Sequence, residues 1–589
     1  MTDKVIVTNL TALKAKYGAS GVSTIKTAVT ELVAADKKRG LQTTLVALDD
    51  AAAMKKLKAA PVTNASSPSQ NKKAVDGVYK ALAPDFVMIL GAIDVVPHQD
   101  LKNPLWTGDD NDDPDRFAYG DIPYACDAPY SRDVQKFVGP SRIVGRLPDL
   151  VGETSPTYLV GLLKTAAKWK PLTAKDYAAC LGISAAVWKG STEMSLTKIF
   201  GSASGLTTAP KSGPKWTKAQ INRRMHFINC HGADTYPNFL GQSTEDPFDQ
   251  PVCHEAAFVS KTGNVVEGTV VAAECCYGGQ LYDRRAEAEQ LAGLCNAYLG
   301  RKAYGFLGST TVAYGPAEGN DSADLICLFF LQNVLAGASL GRAALQARQK
   351  FVRESSPLSP TNFKTLAQFN LYGDPSITPV ATASKHVAVG PKSAVVKGLA
   401  PAGATRAGAT QAGAAKAVET ARRVERAERR ETLRAEGLHL AATQPVIESE
   451  AKSSSASVRS TLLKLAGELN LQMSSALSYN VESAPGAPPL PKGGVKMGAK
   501  MGVKSMAAGS SKKTVAPPTT AFHVMFGEHT TPTPKAGATM PKGILGMKSG
   551  ASKSKAGGEA KRPRVPNKVI LEAKEVNGKI VSVTKLHRR

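Results

Sequence analysis

Met225-His226-Phe227-Ile228-Asn229-Cys230-His231-Gly232 and Thr269-Val270-Val271-Ala272-Ala273-Glu274-Cys275-Cys276-Tyr277-Gly278-Gly279 are two apolar runs that end on reactive side chains. Each reads as a buried strand closed by glycine. The first delivers a histidine and the second a cysteine. In parallel α/β sheets, ligands sit beyond the carboxyl ends of strands. A thiolate nucleophile needs a nearby base and donors for the developing oxyanion, and adjacent strand ends hold both within hydrogen-bond reach. Glycines there let a substrate backbone approach.

Outward from these runs, short β-branched segments alternate with helical patterns from residue 4 to about 385. They are VIVTN, a helix over 22–39, TLVAL at 44–48, a helix over 72–83 and FVMIL at 86–90, then CLGISAAV at 180–187, the two runs above, and KAYGFLG at 302–308. This alternation predicts an α/β fold with mostly parallel sheets flanked by helices. Two tandem subdomains fit it, residues 1–170 and 171–385.

Composition changes near 385. All four Trp and eight Cys lie before 330, and the last Asp is Asp374. From residue 386 onward, roughly 33 Lys and Arg face 13 Glu, so about +20 of the net charge of +25 sits in the tail, residues 386–589. AGATRAGATQAGAAKA, PGAPPLPKGG and KMGAKMGVKSMAAGSSKK are too small and polar to bury a core, and predict a largely disordered basic tail. Three islands depart from this: a charged helix over 414–436, an amphipathic helix over 457–478 with Leu462, Leu463, Leu465 and Leu469, and a hairpin in which KVILEAKEV and KIVSVTKL flank Asn577-Gly578. Without a signal-peptide pattern or a run of membrane-span length, the expectation is a cytoplasmic protein with no membrane partner and reduced thiols.

The pair of strand ends resembles the caspase-like cysteine peptidases, in which a strand ending in His-Gly precedes one ending in Gln/Glu-Ala-Cys with Gly shortly after. Glu274-Cys275-Cys276-Tyr277-Gly278 fits with Cys275 in the alanine slot. Cys275 is the alternative nucleophile; strand alternation and the following Gly favour Cys276. Four further segments look like the gingipain-like branch of that group, in its intracellular prokaryotic form. These are Asp85 to Gly91 with Pro97, Tyr119-Gly120-Asp121-Ile122-Pro123-Tyr124, Val144-Gly145-Arg146-Leu147-Pro148, and Phe369-Asn370-Leu371-Tyr372-Gly373-Asp374-Pro375-Ser376.

The resemblance implies a cysteine endopeptidase acting on protein substrates. His231 is its general base, Cys276 its nucleophile, and the amides of Gly232 and Cys276 its oxyanion hole. It also implies cleavage after Arg or Lys, with an acidic group in the first subsite. Glu193 is the nearest positional counterpart, Asp321 and Asp324 are the reserves, and Tyr314 is a wall. The tail is then a pro-segment, with Arg423, Arg426, Arg430 and Arg434 as autocleavage sites or as targets of an upstream activating protease, in a setting such as bacterial defence.

The competing reading is a catalytically inactive caspase-like scaffold whose basic tail binds nucleic acid. No cofactor is expected. Adjacent cysteines near His231 and His254 lack zinc-site spacing. The loop Asp109-Asp110-Asn111-Asp112-Asp113-Pro114-Asp115 offers Ca2+ the oxygens of Asp109, Asn111 and Asp113. It lacks the glycine at the sixth position and the glutamate at the twelfth, which favours a solvated loop.

Overall fold

The computed structural model describes residues 2–381, 411–449, 456–482, 519–529, 563 and 565–589. The chain opens with β1 (Lys4–Thr8), α1 (Leu10–Lys38), β2 (Thr43–Ala47), α2 (Pro68–Leu82), β3 (Phe86–Leu90), β4 (Ile143–Leu147) and α3 (Thr157–Lys168). It continues through β5 (Cys180–Ala185), α4 (Lys189–Phe200), β6 (Leu206–Ala209), β7 (Met225–Asn229), β8 (Val270–Ala273), β9 (Gly305–Ser309) and the short β10 (Tyr314–Gly315). Then follow α5 (Ser322–Leu335), α6 (Leu340–Glu354) and β11 (Phe369–Tyr372).

Ten of these strands form one sheet in the order β2-β1-β3-β4-β11-β9-β8-β7-β5-β6. The strands are aliphatic almost without interruption, as a sheet covered on both faces requires. The two strand series legible in the sequence are its two halves. Each half is parallel within itself, and they meet where β11 runs parallel to β4 but antiparallel to β9. The gingipain-like segments knit this seam: Arg146 on β4 forks onto Asp121 at 2.6 and 2.8 Å, and Asn370 on β11 takes the Asp121 amide at 2.7 Å. The Arg146 and Asp121 side chains are buried, so each supplies the countercharge that makes the other tolerable.

The described part of the tail departs from the disorder expected of it. It comprises α7 (Gln411–Thr443), β12 (Val446–Ser449), α8 (Ala456–Glu468), β13 (Leu471–Glu482), β14 (Thr520–His529), β15 (Lys568–Val576) and β16 (Lys579–Arg588). The expected hairpin is present, with Asn577 and Gly578 both at positive φ. The expected helix over 457–478 stops at Glu468, because Asn470 turns left-handed at φ 53° and the chain enters β13. The strand at 520–529 was not anticipated. These strands form a six-stranded sheet, β10-β16-β15-β14-β13-β12, which borrows β10 from the body.

Leu440, Ile447, Tyr479, Phe522, Val524, Phe526, Ile570 and Leu586 enter the same apolar cluster as Cys276, Leu307 and Phe351. The tail therefore does bury a core on the body, and a second, smaller one of its own, in which Val458 and Leu462 of α8 pack on Leu471, Met525, Val569 and Leu571. The segments 402–410, 485–494 and 496–513, expected to be disordered, lie outside the described residues. Among the described residues no helix is long and apolar enough to cross a membrane.

Candidate active site

β7 and β8 are parallel neighbours with Ile228 opposite Ala273. The Glu274 amide continues the ladder to the Ile228 carbonyl at 2.8 Å. Three residues further on, this register sets Cys276 level with His231. Gly232 packs on the Cys276 backbone so closely that a β-carbon there would collide with the Cys276 carbonyl oxygen, so only glycine fits. Beyond Cys276 the chain reverses through Tyr277, held at φ 53°, and the Gly279 amide bonds the Ser309 carbonyl at 2.7 Å.

Successive residues face opposite sides of the sheet. Cys275 falls among Ile228, Cys230 and Ala273 in one core, with its sulfur 3.8 Å from the Ile228 carbonyl. Burial holds its thiol well above the usual range. Cys276 faces the other way, where its sulfur accepts the Ala313 amide at 3.2 Å. Burial raises the Cys276 thiol too, but the guanidinium of Arg588 pulls in the opposite direction.

His231 is fixed by a two-way backbone bridge to Leu240, 2.9 Å each way, and its Nε2–H donates to Gln242 Oε1 at 2.6 Å. That bond selects the tautomer. Nδ1 is left unprotonated, buried and without a hydrogen-bond partner, as a general base must be before it takes a proton. The Trp188 ring stands edge-on to the imidazole with centroids 4.5 Å apart. Burial is the main reason that the His231 pKa falls to about 3; the bond to Gln242 and the nearby Arg589 backbone oppose it, and the charges of Arg588 and Arg589 reinforce it.

The cleft beside this pair is filled by β16. Tyr314 and Gly315 of β10 pair antiparallel with Arg588 and His587, and the Arg589 amide donates to the Ala313 carbonyl at 3.0 Å. Arg589 is completely buried. Its Nη2 donates to the Pro316 carbonyl at 2.7 Å and to both Asp324 oxygens at 3.2 and 3.3 Å, and its guanidinium lies 4.5 Å from the Trp188 ring centre. A β-carbon on Gly315 would strike that guanidinium. Beside Asp324 lies Glu274, fully buried; burial first, then the Asp324 charge, holds its carboxyl well above the usual range, and a side-chain hydrogen bond with Asp324 acts the same way.

Of the acidic residues expected in the first subsite, only Asp324 reaches Arg589. Glu193 lies on the outer face of α4, 45% exposed and paired with Lys189. Asp321 caps α5 through the Ser322 amide at 2.6 Å. Tyr314 is buried on β10, with its hydroxyl donating to Asp113 at 3.2 Å. The acidic loop is solvated, as expected, only over Asp109 to Asn111, and turns inward from Asp112. Asp113 and Asp115 pair with buried Lys364 at 2.5 and 3.0 Å, and Asp115 also accepts the Val312 amide, so the loop buttresses the cleft. Asn111 bonds Asp109, and among the described residues no group of three or more His, Cys, Asp or Glu side chains is arranged to hold a metal ion.

Arg426, Arg430 and Arg434 lie on the helix α7 and pair with Asp3, Asp85 and Asp127, the first two half-buried and Arg434 exposed. Arg423, on the same helix, is half-buried. Sequence reasoning missed Trp188, Gln242 and Glu274. Only Glu274 left a signal, as an acid inside an aliphatic strand beside the cysteines.

The peptidase family C25 model matches residues 3–380. Among solved structures, one titled "Structure of Protease" is similar at 12% identity and TM-score 0.41, covering 64% of this chain and 78% of that one. A Saccharomyces cerevisiae separase–securin complex is similar at 12% identity and TM-score 0.26 over 41% of this chain, which spans 14% of that one. No match to a curated protein was found. With more than half of its length matched by the family model, and its histidine and cysteine strand ends side by side, the chain belongs to peptidase family C25 and is a cysteine peptidase.

Proposed function

We propose that the chain is an endopeptidase that cuts after Arg or Lys, with Cys276 as nucleophile and His231 as base. The observation that carries this reading is the arginine seated on Asp324 beneath Trp188, one residue beyond the strand that pairs with β10 beside Cys276. A guanidinium needs a buried carboxylate and further acceptors, which Asp324 and the Pro316 carbonyl supply at Nη2, and an aromatic face, which Trp188 supplies.

In the reaction, His231 Nδ1 takes the Cys276 proton and the sulfur attacks the carbonyl carbon of the residue held by Asp324. The amides of Gly232 and Cys276 receive the developing negative oxygen. His231 returns the proton to the leaving amine, and water then hydrolyses the thioester by the same route in reverse. The tail restrains this activity.

A peptide library cleaved by enzyme with an open cleft, read by mass spectrometry, tests the reading. Cuts after Arg and Lys that vanish in Cys276→Ala are expected. A preference for Asp or apolar residues before the cut would overturn the specificity, and cutting by Cys276→Ala would overturn the nucleophile.

A further inference from the structure

Cys276 is fully buried and His231 is 1% exposed, which no endopeptidase can tolerate while it turns over protein chains. This chain's own β16 lies against both, with Arg588 beside Cys276 and Arg589 beside His231. We infer that β16 is a tethered, substrate-like inhibitor, in which Arg589 fills the specificity pocket and Arg588 and His587 hold the rail on which a substrate strand would lie. This rests on the specificity reading above and goes beyond it by naming what blocks the site and by which contacts.

Three independent features converge. The backbone pairs with an edge strand as an extended peptide does when it adds to a sheet. The side chain that enters the pocket is the one the pocket's charge and shape fit, with both partners of the Asp324–Arg589 pair buried. The end of the strand also brings cations to the site, with Arg588 close to Cys276 and Asp113 and Arg589 seated on Asp324.

The inhibitor is held from behind as well. β16 pairs along β15 from Val569–His587 to Val576–Lys579, and β15 pairs with β14, whose Phe522 and Phe526 enter the body's core. Because the tether makes rebinding intramolecular, modest contacts suffice to keep the cleft filled. Release frees β10 as an edge and empties the pocket. The turn at Asn577–Gly578 is exposed, so β16 can be cut from β15 without disturbing any buried contact.

The test uses the full chain. Cys276 labelling by an arginine acyloxymethyl ketone is followed by intact mass in the natural chain, in Arg589→Ala, and in a chain with a site-specific protease sequence inserted between Asn577 and Gly578 and then nicked. Removing one buried anchor of an interface commonly weakens it by about 10-fold or more, so labelling at least about 10-fold faster in Arg589→Ala and in the nicked chain is expected. Equal rates in all three, with circular dichroism showing an intact fold, would overturn the inference.

A second measurement separates it from the catalytic reading. A fluorescent Lys-Leu-His-Arg-Arg peptide should bind Cys276→Ala/Arg589→Ala but not Cys276→Ala alone, and equal binding to both would overturn the occupancy. Peptide binding that follows this pattern while no form is labelled would sustain the occupancy and overturn the role of Cys276.

Discussion

Asp324 and Arg589 form an ion pair in which neither side chain has any exposed surface. Removing one partner strands a buried charge, at a cost of about 3–5 kcal/mol, whereas removing both does not. Asp324→Asn should therefore lower the melting temperature more than Asp324→Asn/Arg589→Gln does. Both should lose cleavage after Arg. A double variant as unstable as the single would show that the pair is not the source of the loss.

Cys276→Ala should abolish hydrolysis, and Cys275→Ala should leave most of it, because the two sulfurs face opposite sides of the sheet. The Cys275 substitution carries only the cost of a small cavity, about 1 kcal/mol. Assays of both variants in the Arg589→Ala background decide it, and the opposite pattern would make Cys275 the nucleophile.

Gln242→Ala removes the acceptor that fixes the His231 tautomer at 2.6 Å. Substrate binding does not use that bond, so kcat should fall by about 10-fold to 100-fold while KM changes little. A change confined to KM would place Gln242 in substrate binding instead. Steady-state kinetics in Arg589→Ala separates the two.

A second histidine system makes stability depend on pH. The Trp216 indole donates to His254 Nδ1 at 2.9 Å, His254 Nε2 meets the Tyr298 hydroxyl at 2.8 Å, and that hydroxyl meets His226 Nδ1 at 2.7 Å. Only neutral imidazoles complete this one-way chain, and burial lowers the pKa of His226 to about 4 and of His254 to about 3. The unfolded chain binds these protons near pH 6.5 and the folded one does not. Their contribution to stability is therefore complete above about 6.5 and is lost as pH falls toward 4, by about 1.4 kcal/mol per unit for each ring. His226→Asn, which takes no proton, should show a shallower loss in urea unfolding between pH 7 and 5. A slope equal to that of the natural chain would mean that His226 is protonated in the fold.

Truncation after residue 381 removes β12–β16 and uncovers the apolar surface against which Phe522, Phe526 and Leu586 pack. The truncated body should be less soluble and melt lower than Arg589→Ala, which keeps that cover. Light scattering and thermal melts compare them. A truncated body as stable as the full chain would show that the tail's strands add nothing to the stability of the body.

What the sequence made legible was the content of the strands. MHFINC and GTVVAAECC announce themselves by apolar continuity, and the ladder from Ile228 to Ala273 needs nothing further to set His231 and Cys276 level. The pocket was less legible because its parts are far apart in the chain: Trp188, Glu274, Pro316, Asp324 and Arg589 meet only after folding. Glu193 was attractive by position and fails because α4 turns it to solvent beside Lys189. The tail misled for a compositional reason. TAFHVMFGEH is a short island in a small, polar context, and its apolar side chains find cover only on other parts of the chain.

The position of β16 in the chain also orders events in time. The last strand of the catalytic sheet ends at Tyr372, whereas the strand that covers the cleft runs from Lys579 to Arg588. At about 5–20 residues per second, ribosomes need roughly 10–40 s to make the intervening chain. Every molecule therefore passes through an interval in which the cleft's own strands exist and its cover does not. How fast the catalytic half folds, relative to the arrival of its last strand, sets how long each newborn enzyme stands uncovered.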